Sequence, residues 1–179
     1  MKTWLPLVVG SMAACRVGGE PLSPAGKAME TLAVTSRSFA SGGQIPVDNT
    51  CDGADRSPQL TWSAPPLGTQ SFAIIVEDPD APSGTFTHWI AYDIASEARS
   101  LPEAADLASV GGATGLNDFK RPGYGGPCPP QFEIHHYSFR VYALNAQLHA
   151  SPEPNRDTID AALRGHVLAT GSLVALFSR

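Results

Sequence analysis

His135-His136-Tyr137-Ser138-Phe139-Arg140-Val141-Tyr142-Ala143-Leu144 is the stretch that decides the fold. Its polar and apolar positions alternate with period two, the pattern of a strand with one face in a core. His135, Tyr137, Phe139, Val141 and Ala143 share one face, and His136, Ser138, Arg140 and Tyr142 share the other. The first face is apolar except at its beginning. His135 and Tyr137 therefore lie where a core-facing stripe reaches the end of a sheet, and a pocket can open there. His136 belongs to the polar face and reads as a solvated residue.

Outward from this strand, Ser71 to Glu77 is a nearly continuous apolar run with β-branched residues, which predicts a buried strand. Asp78-Pro79-Asp80-Ala81-Pro82-Ser83-Gly84 ends it as an extended loop. His88 to Ile94 alternates again. It puts His88 on the face of Ile90, Tyr92 and Ile94, at the entrance of a second inward stripe. Thr31 to Ser36 and Gln59 to Trp62 read as shorter strands, and His166 to Ser178 as a long closing one. Asn155 to Gly165 reads as a short helix, with Asn155 or Asp157 as its cap and Gly165 as its stop. Residues 95–114 and 118–130 read mostly as loop. The expected fold is mainly β: two antiparallel sheets packed face to face, a short helix in the C-terminal region, and long loops.

Composition bounds the function. A chain of 179 residues suits one domain, and 42% hydrophobic residues can fill a core. The net charge of −5, with 12 scattered Lys and Arg, argues against nucleic acid as a partner. The 17 Gly and 16 Pro argue for turns and against a helical bundle.

Residues 1–14 read as an export signal: Lys2 precedes the apolar run Trp4 to Ala14, which is too short to span a bilayer. Met12-Ala13-Ala14-Cys15 resembles a bacterial lipobox, with Met12 in place of the usual Leu, so Cys15 is the expected lipidation site. Residues 15–28 then form a flexible tether and 29–179 the folded domain. The expected location is the periplasm or cell envelope, with the membrane a partner only through a lipid on Cys15. Plain secretion is the alternative, and a cytosolic chain with a misplaced start is a third reading. With Cys15 consumed, Cys51 and Cys128 are either bridged or two buried thiols, and the spacing does not choose between them.

Three strand ends can bring Asp78, His88, His135 and Tyr137 together, under loops 78–84 and 123–130. In the second loop Gly125 and Gly126 allow backbone N–H groups to approach a ligand. Imidazole, phenol and backbone donors suit phosphate or carboxylate oxygens, while Asp78 suits an ammonium group or orients a histidine. Each residue also has a plain structural reading: a strand-end histidine is commonly a surface or satisfied core residue, Asp78 can serve its own turn, and Tyr137 can be core. The chain carries no activated Ser or Cys motif and no His-Glu-x-x-His spacing, so no catalytic residue, metal or cofactor is expected.

The ordered set of Asp52-Gly53, Ser57-Pro58-Gln59-Leu60-Thr61-Trp62, Asp78-Pro79-Asp80-Ala81-Pro82, Thr87-His88-Trp89-Ile90, Gly123-Tyr124-Gly125-Gly126-Pro127-Cys128-Pro129-Pro130, His135-His136-Tyr137-Ser138-Phe139 and Tyr142-Ala143-Leu144 resembles the phosphatidylethanolamine-binding protein family, in its bacterial Raf-kinase-inhibitor-like branch. The resemblance runs from about Leu32 to the C-terminus. It implies two antiparallel sheets and a pocket for phosphate-bearing head groups. It also implies pocket roles for Asp78, opening the Asp-Pro-Asp-Ala-Pro loop, for His88, and for His135 and Tyr137, the outer residues of a His-Arg-Tyr motif. Three departures stand out: His136 replaces the usual Arg, Asn49 replaces an aromatic residue, and Gln131 to Ile134 lacks the loop's usual Gly.

The chain thus reads as a binding module for a phosphate monoester or phospholipid head group. The family also includes inhibitors of kinases and proteases, which adds a protein target as a partner class. The alternatives are a hydrolase using the His and Asp side chains, and an interaction protein with a vestigial pocket.

Overall fold

Ser71–Asp78 is buried along almost its whole length, and its unbroken apolar run needs cover on both faces. The computed structural model, which describes residues 29–179 together with Met1, provides that cover. In chain order the strands are β1 (Glu30–Thr31), β2 (Val34–Thr35), β3 (Leu60–Trp62), β4 (Ser71–Asp78), β5 (Phe86–Ala95), β6 (Ser100–Leu101), β7 (Ala113–Thr114), β8 (Ile134–Leu144) and β9 (Val167–Ser178), with helix α1 (Arg156–Leu163) before the last. A six-stranded sheet has the order β1-β9-β8-β4-β5-β7, and a three-stranded sheet the order β2-β3-β6. The export segment, the tether and Cys15 lie outside the described residues, Met1 apart.

The two faces of β4 serve two cores. Phe72, Ile74 and Val76 pack toward the small sheet, with Leu60, Trp62, Leu101, Trp89, Phe139 and Val141. Ala73 and Ile75 point the other way and meet Ile90, Tyr92, Ile159 and Leu163, so α1 covers the outer face. Truncating a ring as deeply buried as Phe72, which is 0% exposed, costs about 3–5 kcal/mol in such a core. Asn155 caps α1, its Oδ1 accepting the Thr158 N–H at 3.0 Å, and Gly165 follows at φ +80°.

The predicted mainly β fold is present, with three differences of detail. Thr31 to Ser36 is not one strand. β1 pairs with β9 in parallel, and β2 pairs with β3 in the other sheet. The chain crosses between sheets at Leu32, pressed so closely on β9 that a Cβ on Gly171 would lie 2.0 Å from the Leu32 carbonyl oxygen. Residues 95–114, expected mostly as loop, contribute β6 and β7 as short edge strands.

The third difference concerns His88. Strict alternation would keep it on the face of Ile90 and Tyr92, but those residues belong to the outer core. Opposite β4, the register steps from Val76↔Trp89 to Glu77↔Thr87 and leaves His88 as an extra residue. A second step, between Phe72↔Ile94 and Ile74↔Ala91, lies beside Asp93 at φ +56° and returns Ile94 to the inner core. His88 therefore reaches the inner side through a β-bulge, a device that re-aims a single side chain.

Candidate functional site

The ends of β4, β5 and β8 converge on a pocket of about 450 Å³ lined by Asp78, Phe86, His88, Phe119, His135 and Arg179, with loop residues Ala81 to Ser83 and Cys128 to Pro130. Asp78 and Phe86 stand opposite each other in the β4–β5 register. Tyr137 follows His135 on the buried face of β8.

Asp78 is fully committed within the protein. Its Oδ1 accepts the Asp80 N–H at 2.9 Å, and its Oδ2 meets His135 Nδ1 at 2.7 Å. The turn role and the histidine-orienting role thus coexist in one carboxylate. The other ring nitrogen, His135 Nε2, meets Glu133 Oε2 at 3.1 Å. An imidazole between two carboxylates donates at both nitrogens only as an imidazolium. Burial pulls its pKa down, but the bonds to Asp78 and Glu133 outweigh that and hold it above the ordinary value. His136 is more than a solvated residue. Its N–H and its Nδ1 both reach Asp80 Oδ2, at 2.8 and 2.7 Å, and pin the 78–84 loop to β8. The His136 N–H, before any other cause, keeps the Asp80 carboxyl below its usual range.

His88 stands in a different setting. Its Nδ1 lies 2.7 Å from the Gly125 carbonyl, which assigns the proton to Nδ1 and leaves Nε2 as an acceptor in the neutral ring. Phe86, Phe119 and Tyr137 crowd the ring, at centroid distances of 5.0, 5.4 and 5.2 Å. Burial pushes the His88 pKa down.

The loop carrying Gly125 is tied to residues 49–55. Cys51 and Cys128 form a disulfide with Cα atoms 5.5 Å apart, and the Tyr124 hydroxyl donates to the Asn49 carbonyl at 2.7 Å. Asp55 accepts from the Gly126 N–H at 2.6 Å and from Arg121 Nη2 at 2.6 Å. Gly126 was expected to offer its amide to a ligand, and here the structure corrects the expectation. The amide is spent on Asp55, and Gly126 is required because a Cβ would lie 2.7 Å from Thr50 Cα.

Tyr137 lies beneath the pocket and is 0% exposed. Its hydroxyl is buried beside the Asp78 carboxylate and the Cys128 backbone, and no described residue meets it with hydrogen-bond geometry. Burial first, then the Asp78 carboxylate, drives the phenol pKa far up, so it stays a donor. An unpaired buried hydroxyl costs stability and marks a place where a partner can be supplied.

The structure brings Asp78, His88, His135 and Tyr137 together. Sequence reasoning missed Glu133, Arg179, Phe86, Phe119 and Asp55. Period two carried past the ends of the strands would have found two of them. Glu133 precedes His135 by two residues, and Arg179 follows the inward Phe177 by two. Arg179 also pairs with Asp52 at 3.0 Å. In the Gln131 to Ile134 segment, where the usual Gly is missing, Phe132 takes a left-handed conformation at φ +69°. That backbone costs a bulky residue on the order of 1 kcal/mol. Among the described residues, no group of three or more His, Cys, Asp and Glu is arranged to hold a metal ion.

Residues 35–178 match the family model described as phosphatidylethanolamine-binding protein. The chain belongs to the phosphatidylethanolamine-binding protein family. Among its relatives in that family is a protein of Aquifex aeolicus named only as a UPF0098 protein, 44% identical over 83% of this chain and 89% of its own length. A UPF0098 protein of Pyrococcus horikoshii is 38% identical over 100% of this chain and 91% of its own length. Two solved structures share the fold. A phosphatidylethanolamine-binding protein homologue from Chlamydia trachomatis has a TM-score of 0.78 and 33% identity, over 84% of this chain and 99% of that one. YbcL of E. coli, described as a new member of the mammalian family, has a TM-score of 0.77 and 32% identity, over 83% and 98%.

Proposed function

We propose that this pocket binds a small phosphate-bearing anion, a phosphate monoester or a phospholipid head group, and that the chain works by binding rather than by turnover. The observation that carries the reading is the Tyr137 hydroxyl, a buried donor that no described residue meets with hydrogen-bond geometry. The wall adds the Arg179 cation and His88 Nε2. A neutral Nε2 accepts, so it pairs with a phosphate oxygen that keeps its proton; a monoester, with its second pKa near 6, supplies one. A fully ionised ligand binds only if His88 takes up a proton. The volume of about 450 Å³ suits a head group and excludes most of an acyl chain. Membership of a family named for a phospholipid is consistent with this. The thiol that could have served as a nucleophile, Cys128, is consumed by Cys51.

The disulfide also supports a place in an oxidising compartment, and we propose the cell envelope on that ground. The test of the pocket is an NMR titration with phosphorylethanolamine. The imidazole signals of His88 and His135 are expected to move, and to move less in Tyr137→Phe. If neither signal responds up to millimolar ligand, the reading is wrong.

A further inference from the structure

Glu133 sits on the atom of His135 that an anion would use. The Asp78 carboxylate holds Nδ1 at 2.7 Å, and Glu133 Oε2 holds Nε2 at 3.1 Å. The His135 side chain is 4% exposed and that of Glu133 is 52% exposed. A carboxylate half in solvent therefore caps an imidazole that is almost wholly enclosed, and the ring has no donor left for an entering oxyanion.

We propose that Glu133 is a built-in competitor of the ligand: its carboxylate holds the anion position at His135, and a phosphate enters by displacing it. This deepens the binding role proposed above and rests on it.

Two observations make the displacement feasible. The Glu133 contact is a single bond from an exposed side chain, the weak class of ion pair. Phosphate, with more acceptor oxygens than one carboxylate, can engage the pocket-lining Arg179 as well as His135, whereas the Glu133 carboxylate has no partner besides His135 among the described residues. The raised pKa of His135 agrees, since each carboxylate stabilises the charged ring. Asp78 cannot take the competitor's part, because both its oxygens are engaged and it is itself buried.

The role differs in sign from a positioning role. A residue that orients His135 for a ligand strengthens binding, and its removal weakens it. A competitor weakens binding, and its removal tightens it.

The experiment is calorimetry of the whole protein with inorganic phosphate, comparing wild type, Glu133→Gln and Glu133→Ala. NMR of the His135 ring follows in the same samples. Both variants are expected to bind phosphate about 5-fold more tightly, the equivalent of losing one exposed ion pair. The His135 pKa is expected to fall in both. Affinities equal to wild type, or weaker, overturn the competitor role while leaving the pocket standing. If wild type and both variants all fail to bind phosphate, the binding reading falls and this inference falls with it.

Discussion

Across one pocket, the wall that carries His88 and the wall that carries His135 are built on opposite terms. His88 stands on β5 among aromatic rings and gives its one proton to a backbone carbonyl. His135 stands on β8 between two carboxylates. Burial is similar, 3% exposure for each, yet one pKa is lowered and the other raised. Burial pulls both pKa values down; at His135 the two carboxylates outweigh it, and at His88 a backbone carbonyl does not. One wall therefore offers an acceptor and the other a cation, a combination suited to a singly protonated phosphate.

The largest effect expected from breaking the comparison comes from the disulfide. Cys51 and Cys128 are 77 residues apart, and a bridge across that separation stabilises by about 4 kcal/mol through chain entropy. A double Cys51→Ser, Cys128→Ser variant should lose about that much in urea unfolding. The loss should fall on one wall. The Gly125 carbonyl that fixes His88 lies on the bridged loop, so the His88 pKa should change while that of His135 stays.

Asp78→Ala attacks the other wall. Removing one partner of a buried ion pair costs about 3 kcal/mol, here a pair with 4% and 5% side-chain exposure. The His135 pKa should fall sharply. His88, which feels Asp78 only as a more distant charge, should fall less. Equal shifts in both rings would show that the walls are not independent.

How much of this was legible beforehand divides along the same line. The β8 wall follows period two without interruption, so His135 and Tyr137 could be placed from Ile134–Leu144 alone. The β5 wall could not be read that way. His88 was assigned to the pocket with Ile90 and Tyr92 on its face, and those two side chains turn out to line the opposite core. The bulge that separates them is set by pairing with β4, a long-range feature that local alternation does not encode. Gly126 misled for a related reason. A glycine that admits a ligand and a glycine that admits a neighbouring loop have the same local signature, and only the fold shows Asn49 and Thr50 against it. Glu133 was legible by spacing, but an acidic residue is not an obvious element of an anion pocket.

Tyr137→Phe is expected to have a smaller effect, opposite in sign for stability and for binding. The hydroxyl has no partner among the described residues, so its removal relieves a buried polar group and should stabilise the protein by about 1 kcal/mol. Phosphate affinity should fall at the same time. Thermal unfolding and calorimetry on one sample separate the two. A variant that loses stability would mean that the hydroxyl already has a structural partner, and the main support for the binding role would be gone.

The smallest effect is the pH dependence of stability, and it tests the comparison most directly. His135 has a folded pKa above the ordinary 6.5. Its contribution is therefore complete below pH 6.5 and is lost as pH rises through the raised value. His88 has a folded pKa below the ordinary 6.5. Its contribution is complete above pH 6.5 and is lost as pH falls through the lowered value. The two rings together favour maximal stability near the ordinary imidazole pKa, with His88 shaping the acid limb and His135 the alkaline limb. In urea unfolding from pH 5 to 8, subtracting the His88→Gln curve from wild type should leave a difference that changes only on the acid side. Subtracting His135→Gln should leave one that changes only on the alkaline side. If both differences fall on the same side, the two walls share one protonation state, and the acceptor-and-cation pairing proposed for phosphate loses its basis.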